Sequence, residues 1–244
     1  MRAVHVLLKK EEINEEQLAG GIAVVLDVIF ATSTIVTALY HGAKAVVPVF
    51  DSEEALLHAR GYEEGTYLLA GEDKGYPLEG FAQPSPLRLV EAGVSGKTVI
   101  YSTTNGTVAL RKSVGAKQVM AASLLNGRCV AELLAARTDD APIWIICSGS
   151  QGNFNMEDFY GAGYLVGNLM QCRDDWDLND AAKAAMAFYQ AKANDPAGCL
   201  LDSRVGQFVQ YMGYEEEVHY AAQEGILSVV PVLQGGRLVI NQAD

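Results

Sequence analysis

The sequence predicts an α/β architecture, three layers deep (α/β/α) with a mainly parallel or mixed sheet. Two observations carry it. Short aliphatic, β-branched runs alternate with segments whose apolar residues recur at helical spacing. Several of those runs, Ile22-Ala23-Val24-Val25-Leu26-Asp27-Val28 above all, are apolar at nearly every position. Strands covered by helices on both faces read this way, whereas a half-exposed strand alternates.

In chain order, the spacing predicts strands over residues 3–8, 22–28, 45–49, 66–70, 98–101, 118–121 and 143–147. Between them, helices are expected over 33–41, 52–60, 86–92, 106–113 and 126–137. From Met156 onward the chain turns helix-rich, with long helices over 158–171 and 178–193 and shorter ones to residue 220. A final apolar segment, 227–233, leads through Gln234-Gly235-Gly236 to 237–240 as a hairpin. No Pro- or Ser-rich linker interrupts the chain, so one domain is expected over 1–244, any sub-lobe boundary falling within 155–175.

Charge narrows the partners. A net charge of −12 argues against nucleic acid, which needs clustered Lys and Arg, but leaves room for a small anion held by local amides and a metal ion. No run approaches the ~20 apolar residues of a membrane helix, and the N-terminus reads as a first strand rather than a signal peptide. Cys129, Cys147, Cys172 and Cys199 form no CxxC pair, and the four histidines show no ligand spacing. Reduced thiols in a cytoplasmic protein without a zinc site are expected. A homodimer is the expected assembly, two-fold dimers being the commonest soluble oligomers.

In α/β sheets, ligands collect beyond the carboxyl ends of the strands, and four such loops carry chemistry here. In the first, Asp27 ends the most apolar strand and Thr32-Ser33-Thr34 opens a helix. Asp27 can bind Mg²⁺ or act as a base, or it can simply bond loop amides while Thr32 caps the helix. The second, Ser102-Thr103-Thr104-Asn105-Gly106-Thr107, can wrap an oxyanion or serve as an ordinary capped turn; it has neither Walker A nor GxGxxG spacing. In the third, Ser148 and Gly149 follow a buried strand and lead to Glu157-Asp158 at a helix start. Those acids suit either a hard cation or the helix dipole. The fourth, Gly71-Glu72-Asp73-Lys74-Gly75, offers an acid for a metal and a cation for an anion, or is a solvated loop.

In this order the four loops resemble the 2-phosphosulfolactate phosphatase family, the ComB-like proteins of coenzyme M biosynthesis. The family pattern runs D-x-x-R-A-T-[ST]-T, G-E-R-x-G, E-G-F…N-S-P, [ST]-T-T-N-G-T and G…[ED]-D…[AS]-G. This chain reads DVIFATST, GEDKG, EGFAQPSP, STTNGT and GNFNMEDFYGAG, with Ser203-Arg204, Gly206, Gly213-Tyr214 and Val230-Pro231-Val232 matching further on. The resemblance implies a ComB-like fold and a Mg²⁺-dependent phosphatase that converts 2-phospho-3-sulfolactate, or a similar small anionic phosphoester, to 3-sulfolactate and phosphate. It makes Asp27, Glu157 and Asp158 catalytic candidates, with Asp27, Asp158 and Glu72 as metal ligands. The substrate would be held by Thr32, Ser33, Thr34, Lys74, Ser102, Thr103, Thr104, Asn105, Gly106, Thr107, Ser148, Gly149 and Arg204.

Three departures fall inside these motifs. Phe30 and Asp73 stand where the pattern has Arg, and Pro84-Ser85-Pro86 replaces N-S-P. Positive charge is lost on an anion site, where one charge-assisted hydrogen bond contributes ~1.5–3 kcal/mol. Two readings follow. One is a phosphatase with basic groups relocated to Lys74, Arg88 or Arg204, or with a less anionic ester as substrate; the other is a diverged, non-catalytic homologue that binds a small anionic metabolite or serves as a subunit.

Overall fold

Burial on both faces decides where the strands lie, and every residue of Ile22–Leu26, Ala45–Val49 and Thr98–Ser102 is buried. The computed structural model describes residues 1–241. Its strands are β1 (Arg2–Leu7), β2 (Ile22–Leu26), β3 (Ala45–Val49), β4 (Tyr67–Asp73), β5 (Tyr76–Pro77), β6 (Thr98–Ser102), β7 (Gln118–Ala122), β8 (Ile143–Cys147), β9 (Trp176–Leu178), β10 (Pro231–Gln234) and β11 (Arg237–Ile240). The helices are α1 (Glu15–Leu18), α2 (Ala31–Tyr40), α3 (Ser52–Ala59), α4 (Pro86–Glu91), α5 (Gly106–Lys112), α6 (Gly127–Ala136), α7 (Met156–Cys172), α8 (Asp180–Lys192), α9 (Pro196–Leu201), α10 (Arg204–Tyr211) and α11 (Glu215–Ala221).

All eleven strands form one mixed sheet, in the order β5-β4-β6-β3-β11-β10-β7-β2-β8-β1-β9. Strands β4, β6 and β3 are parallel to one another, as are β7, β2, β8, β1 and β9. Between these two parallel blocks the C-terminal hairpin β10–β11 is inserted, antiparallel to β7 on one side and to β3 on the other. The last strands of the chain therefore join the two halves of the sheet.

Period-two alternation sorts the sheet into two faces. Ala23, Val25, Val46, Val99, Tyr101 and Leu238 share one core with Ile35 and Leu39 of α2 and Leu110 of α5. Helices α2 and α5 touch strands of both blocks, which brings the loops after β2 and β6 together. On the opposite face, Val24, Leu26, Ile145 and Val232 pack on α6, α7 and α8, while Val47, Val49 and Ile100 pack on α3. The result is α/β/α, the predicted class.

Local chemistry explains where elements start and where the expected bounds shift. Asp51 caps α3 by accepting from the Glu54 amide at 2.8 Å, while Glu54 reaches back past the cap to accept from the Phe50 amide at 2.7 Å, a variant of the capping box. The helix expected from residue 178 begins instead at Asp180, because Asn179 caps it through the Ala182 amide. That leaves Trp176–Leu178 extended, and it pairs with β1 as an edge strand. The loop expected at Gly71–Gly75 is a hairpin tip: β4 continues to Asp73 and turns at Lys74 and Gly75, both with positive φ (51° and 87°), into β5. Of the expected segment 227–233, only Pro231 onward is strand. Among the described residues, no helix is long and apolar enough to cross a membrane.

Leu238 is wholly buried where the two blocks join. Leu238→Ala is expected to lower unfolding free energy by ~2–5 kcal/mol in urea titration, the range for emptied core positions. A loss under ~1 kcal/mol would mean that the hairpin merely leans on a sheet already stable without it.

Candidate active site

The loops after β2, β4, β6 and β8 meet at one cavity of about 580 Å³, closed on its far side by α10. Of the residues singled out in the sequence, Asp27, Glu72, Lys74, Thr103, Thr104, Asn105 and Arg204 line it. Thr32, Ser33, Thr34, Ser102, Gly106, Thr107, Ser148, Gly149, Glu157 and Asp158 do not contribute to its wall. Arg88 lies elsewhere, paired on the surface with Glu91 and Glu216.

Asp27 follows β2 directly, and its backbone is locked before its side chain acts. Its N–H donates to Thr32 Oγ1 at 3.0 Å, and its carbonyl accepts from that hydroxyl at 2.9 Å and from the Thr32 amide at 3.0 Å. The Thr32 hydroxyl is thus used to turn the chain. Ser33 and Thr34 likewise donate inward, to the Val28 carbonyl at 2.8 Å and the Pro84 carbonyl at 3.4 Å. The Asp27 carboxylate receives only a long contact from the Ala31 amide, 3.4 Å. Burial, then the neighbouring charges of Asp158, Glu72 and Glu157, push its pKa well above the usual carboxylate range.

The loop after β6 is braced from two sides. Thr103 and Thr107 bond reciprocally, each hydroxyl accepting from the other's amide at 3.0–3.1 Å. The Glu72 carboxylate accepts from the Thr104 amide at 2.6 Å, the Thr104 hydroxyl at 2.9 Å and the Gly75 amide at 2.6 Å. In return Thr104 Oγ1 accepts from the Lys74 amide at 2.8 Å, so the β4–β5 tip and the β6 loop move as one unit. Close packing completes the joint. A Cβ on Gly106 would overlap Ala31 Cβ and lie 2.8 Å from Asp27 Oδ2, so only glycine lets α5 start beside the carboxylate.

Asp158 and Glu157 start α7 and are buried, but their surroundings differ. Asp158 Oδ1 accepts from the Val28 amide at 2.9 Å and Oδ2 from the Gly149 amide at 3.1 Å, tying the β2 and β8 loops together. Its pKa is raised by burial, against the lowering pull of those amides and of Lys10. Neither oxygen of Glu157 has a hydrogen-bond partner, and burial followed by the Asp158 charge raises its pKa.

Lys10 escaped the sequence reading. It follows β1, is buried, and its ammonium donates to Asn105 Oδ1 at 2.8 Å and reaches the Ser148 carbonyl at 3.5 Å. The strand-end rule that selected the other loops would have found it, but Lys9-Lys10-Glu11-Glu12 reads as a solvated charged run. The apolar wall was missed as well: Val205, Phe208, Val209 and Met212 face the cavity from α10 and its C-terminal residue, beside Phe30 and Phe154.

Glu157 generates a pH test. Its pKa is raised in the fold, so as pH climbs through the carboxylate range the unfolded chain ionises first and stability falls. Glu157→Gln keeps the shape without that cost. In chelator, the variant is expected to melt above the wild type at about pH 8, the gap closing below about pH 4. A wild type that melts higher at the alkaline end would mean that the carboxylate has a cationic partner.

Comparison with known proteins places this arrangement. Residues 7–236 match the family described as 2-phosphosulpholactate phosphatase. A protein of Clostridium beijerinckii named probable 2-phosphosulfolactate phosphatase is 34% identical over 236 residues, covering 96% of this chain and 98% of its own length. A protein of Symbiobacterium thermophilum with the same name is 37% identical over 226 residues, covering 92% of this chain and 96% of its own. With four strand-end loops in the order of that family's motifs and a match over nearly its whole length, the chain belongs to the 2-phosphosulpholactate phosphatase family.

Proposed function

We propose that this protein is a Mg²⁺-dependent phosphatase that hydrolyses a small anionic phosphomonoester, the reaction for which its relatives are named. One observation carries the reading. A buried carboxylate, Asp27, lines a cavity that also presents Lys74, Arg204 and the Thr103-Thr104-Asn105 loop.

The oxygens on hand fit a hard cation of one kind. Mg²⁺ is commonly held by one or two carboxylates, waters and substrate phosphate rather than by an all-protein cage. Among the described residues no three His, Cys, Asp or Glu side chains converge on a metal position, and Glu72 and Asp158 already spend their oxygens on amides. Of the two carboxylates that line the cavity, Asp27 is the one with lone pairs to spare, and the like charges around it favour a cation. In this proposal Asp27 holds the ion, while Asp158 and Glu72 hold the loops. Bound there, Mg²⁺ would offset phosphate charge and acidify a bound water.

The chain's own groups supply the rest. Lys74 and Arg204 pair with phosphate oxygens, and the Thr103-Thr104-Asn105 edge orients the ester. Water adds to phosphorus, the bond from phosphorus to the ester oxygen breaks, and the water's proton passes to the departing alkoxide, giving an alcohol and inorganic phosphate.

Phosphate release from a panel of phosphomonoesters that includes 2-phosphosulfolactate is expected with Mg²⁺ and abolished by chelation. Asp27→Asn should lower kcat by ~10²–10⁴-fold, the scale of losing several kcal/mol of charge stabilisation by the ion at about 1.4 kcal/mol per tenfold. Arg204→Gln should raise KM roughly tenfold, at about 1.4 kcal/mol per tenfold. No release from any ester, with Mg²⁺ binding intact, would favour a non-catalytic homologue that binds an anionic metabolite.

A further inference from the structure

We infer that Lys10 is a positioning residue: it holds Oδ1 of Asn105, so that the carboxamide keeps its N–H end for the phosphate. This rests on the phosphatase reading above. Lys10 itself does not line the cavity, and only 6% of its surface is exposed, a burial rare for a lysine unless it is paired. Its partners are Asn105 Oδ1 at 2.8 Å, Glu11 Oε1 at 3.1 Å and the Ser148 carbonyl at 3.5 Å, and its charge also bears on Asp158. Of these groups only Asn105 lines the cavity. Whatever Lys10 does for a ligand there, Asn105 is the shortest route.

The chemistry of the pair fixes the amide. An ammonium has three donors and no acceptor, so only the oxygen of a carboxamide can face it. With Oδ1 held, Nδ2 and its two protons form the other branch, and among the described residues nothing accepts from them. Asn105 also stands at the N-cap of α5, where an Asn commonly bonds back to the helix, yet its side chain makes no such bond. The Thr103 hydroxyl takes the Thr107 amide instead, which leaves Asn105 free for the cavity. Gly106, the next residue, packs on the Asp27 carboxylate, so this donor stands close to the reacting end.

The other amides of the wall are not held in this way. Asn153 spends Nδ2 on the Gln151 carbonyl at 3.1 Å, and among the described residues no cation bonds the amide oxygen of Gln83, Gln151 or Asn155. An amide free to turn offers an anion either end, and affinity falls with the fraction in the competent orientation. Without Lys10, the Ser148 carbonyl would be free to draw Nδ2 to itself and leave Oδ1 toward the phosphate.

Calorimetric titration of the full-length protein with inorganic phosphate, Mg²⁺ present, tests this through a double-mutant cycle. Asn105→Ala should weaken phosphate binding about tenfold, the scale of a hydrogen bond to a charged group. Lys10→Met should weaken it at least about threefold, yet add nothing in the Asn105→Ala background. In ester hydrolysis the Lys10→Met loss should fall on KM, since a contact made throughout the reaction is removed. Losses that multiply in the double variant, or that fall on kcat alone, would mean that Lys10 acts by its own charge or through Asp158, and would overturn the inference. No phosphate binding by the wild type overturns it too. Asn105→Asp keeps an acceptor for Lys10 and needs no change at the buried lysine. It exchanges the free N–H end for an anion and should weaken phosphate binding more than Asn105→Ala does; tighter binding than in Asn105→Ala overturns the inference. Phosphate binding that follows the cycle, with no ester hydrolysed, would overturn the phosphatase reading alone.

Discussion

The site depends on one buried anion, Asp158, whose two oxygens are spent on the amides of Val28 and Gly149. Those amides lie in loops that leave neighbouring parallel strands, β2 and β8. At a parallel strand end, N–H groups past the last ladder bond have no partner unless a side chain supplies one. A carboxylate on the first turn of α7 supplies two at once, and charge-assisted bonds of this kind are about twice as strong as neutral ones. Asp27 precedes Val28, so the same anchor sets where its carboxylate can point. An amide in place of Asp158 would meet one of the two N–H groups with a donor of its own.

Concentrating acids has an electrostatic cost, and the fold meets it unevenly. Asp158 has its amides and the nearby ammonium of Lys10, and Glu72 has three donors from the loops it braces. Asp27 has one long contact, and Glu157 has none. The carboxylates that brace loops, Asp158 and Glu72, are thus satisfied, while Asp27, which lines the cavity beside Glu72, is under-bonded. An under-bonded carboxylate in such company favours either a proton or a cation. Asp27 is therefore suited to exchange partners, and the groups around it are suited to keep theirs.

Much of this was legible in the sequence because continuous apolar strands ending in small polar loops are a direct physical signature of strands covered on both faces. Four such ends led to Asp27, Glu72, Thr103-Thr104-Asn105 and the Glu157-Asp158 turn. What spacing could not reveal was direction. Thr32, Ser33 and Thr34 look like phosphate donors in a row, yet in the first turn of α2 each hydroxyl finds a backbone carbonyl within reach and donates to it. Nor could it reveal long-range pairing. The hairpin β10–β11 was visible as a hairpin, but its place between β7 and β3 depends on contacts over more than a hundred residues of chain. Lys10 and the α10 stripe were hidden for a related reason: a charged run and an amphipathic helix look the same whether they face solvent, core or cavity.

The topology separates chemistry from shape. Acids, hydroxyls and Lys74 come from strand-end loops whose backbones are cross-braced by Asp158, Glu72 and the Thr103–Thr107 pair, so a substitution there disturbs several loops at once. The apolar wall comes from α10, a helix that stands outside the sheet and is held by its neighbours α9 and α11. Its Ser203 cap, whose hydroxyl accepts from the Gly206 amide at 2.9 Å, fixes the start of the helix and with it the position of Arg204. The stripe also supports the braces from outside, since Phe208 packs on Gly75 and Val209 shares a core with Val28. The loops thus hold the polar groups of the cavity other than Arg204, and α10 holds its apolar wall.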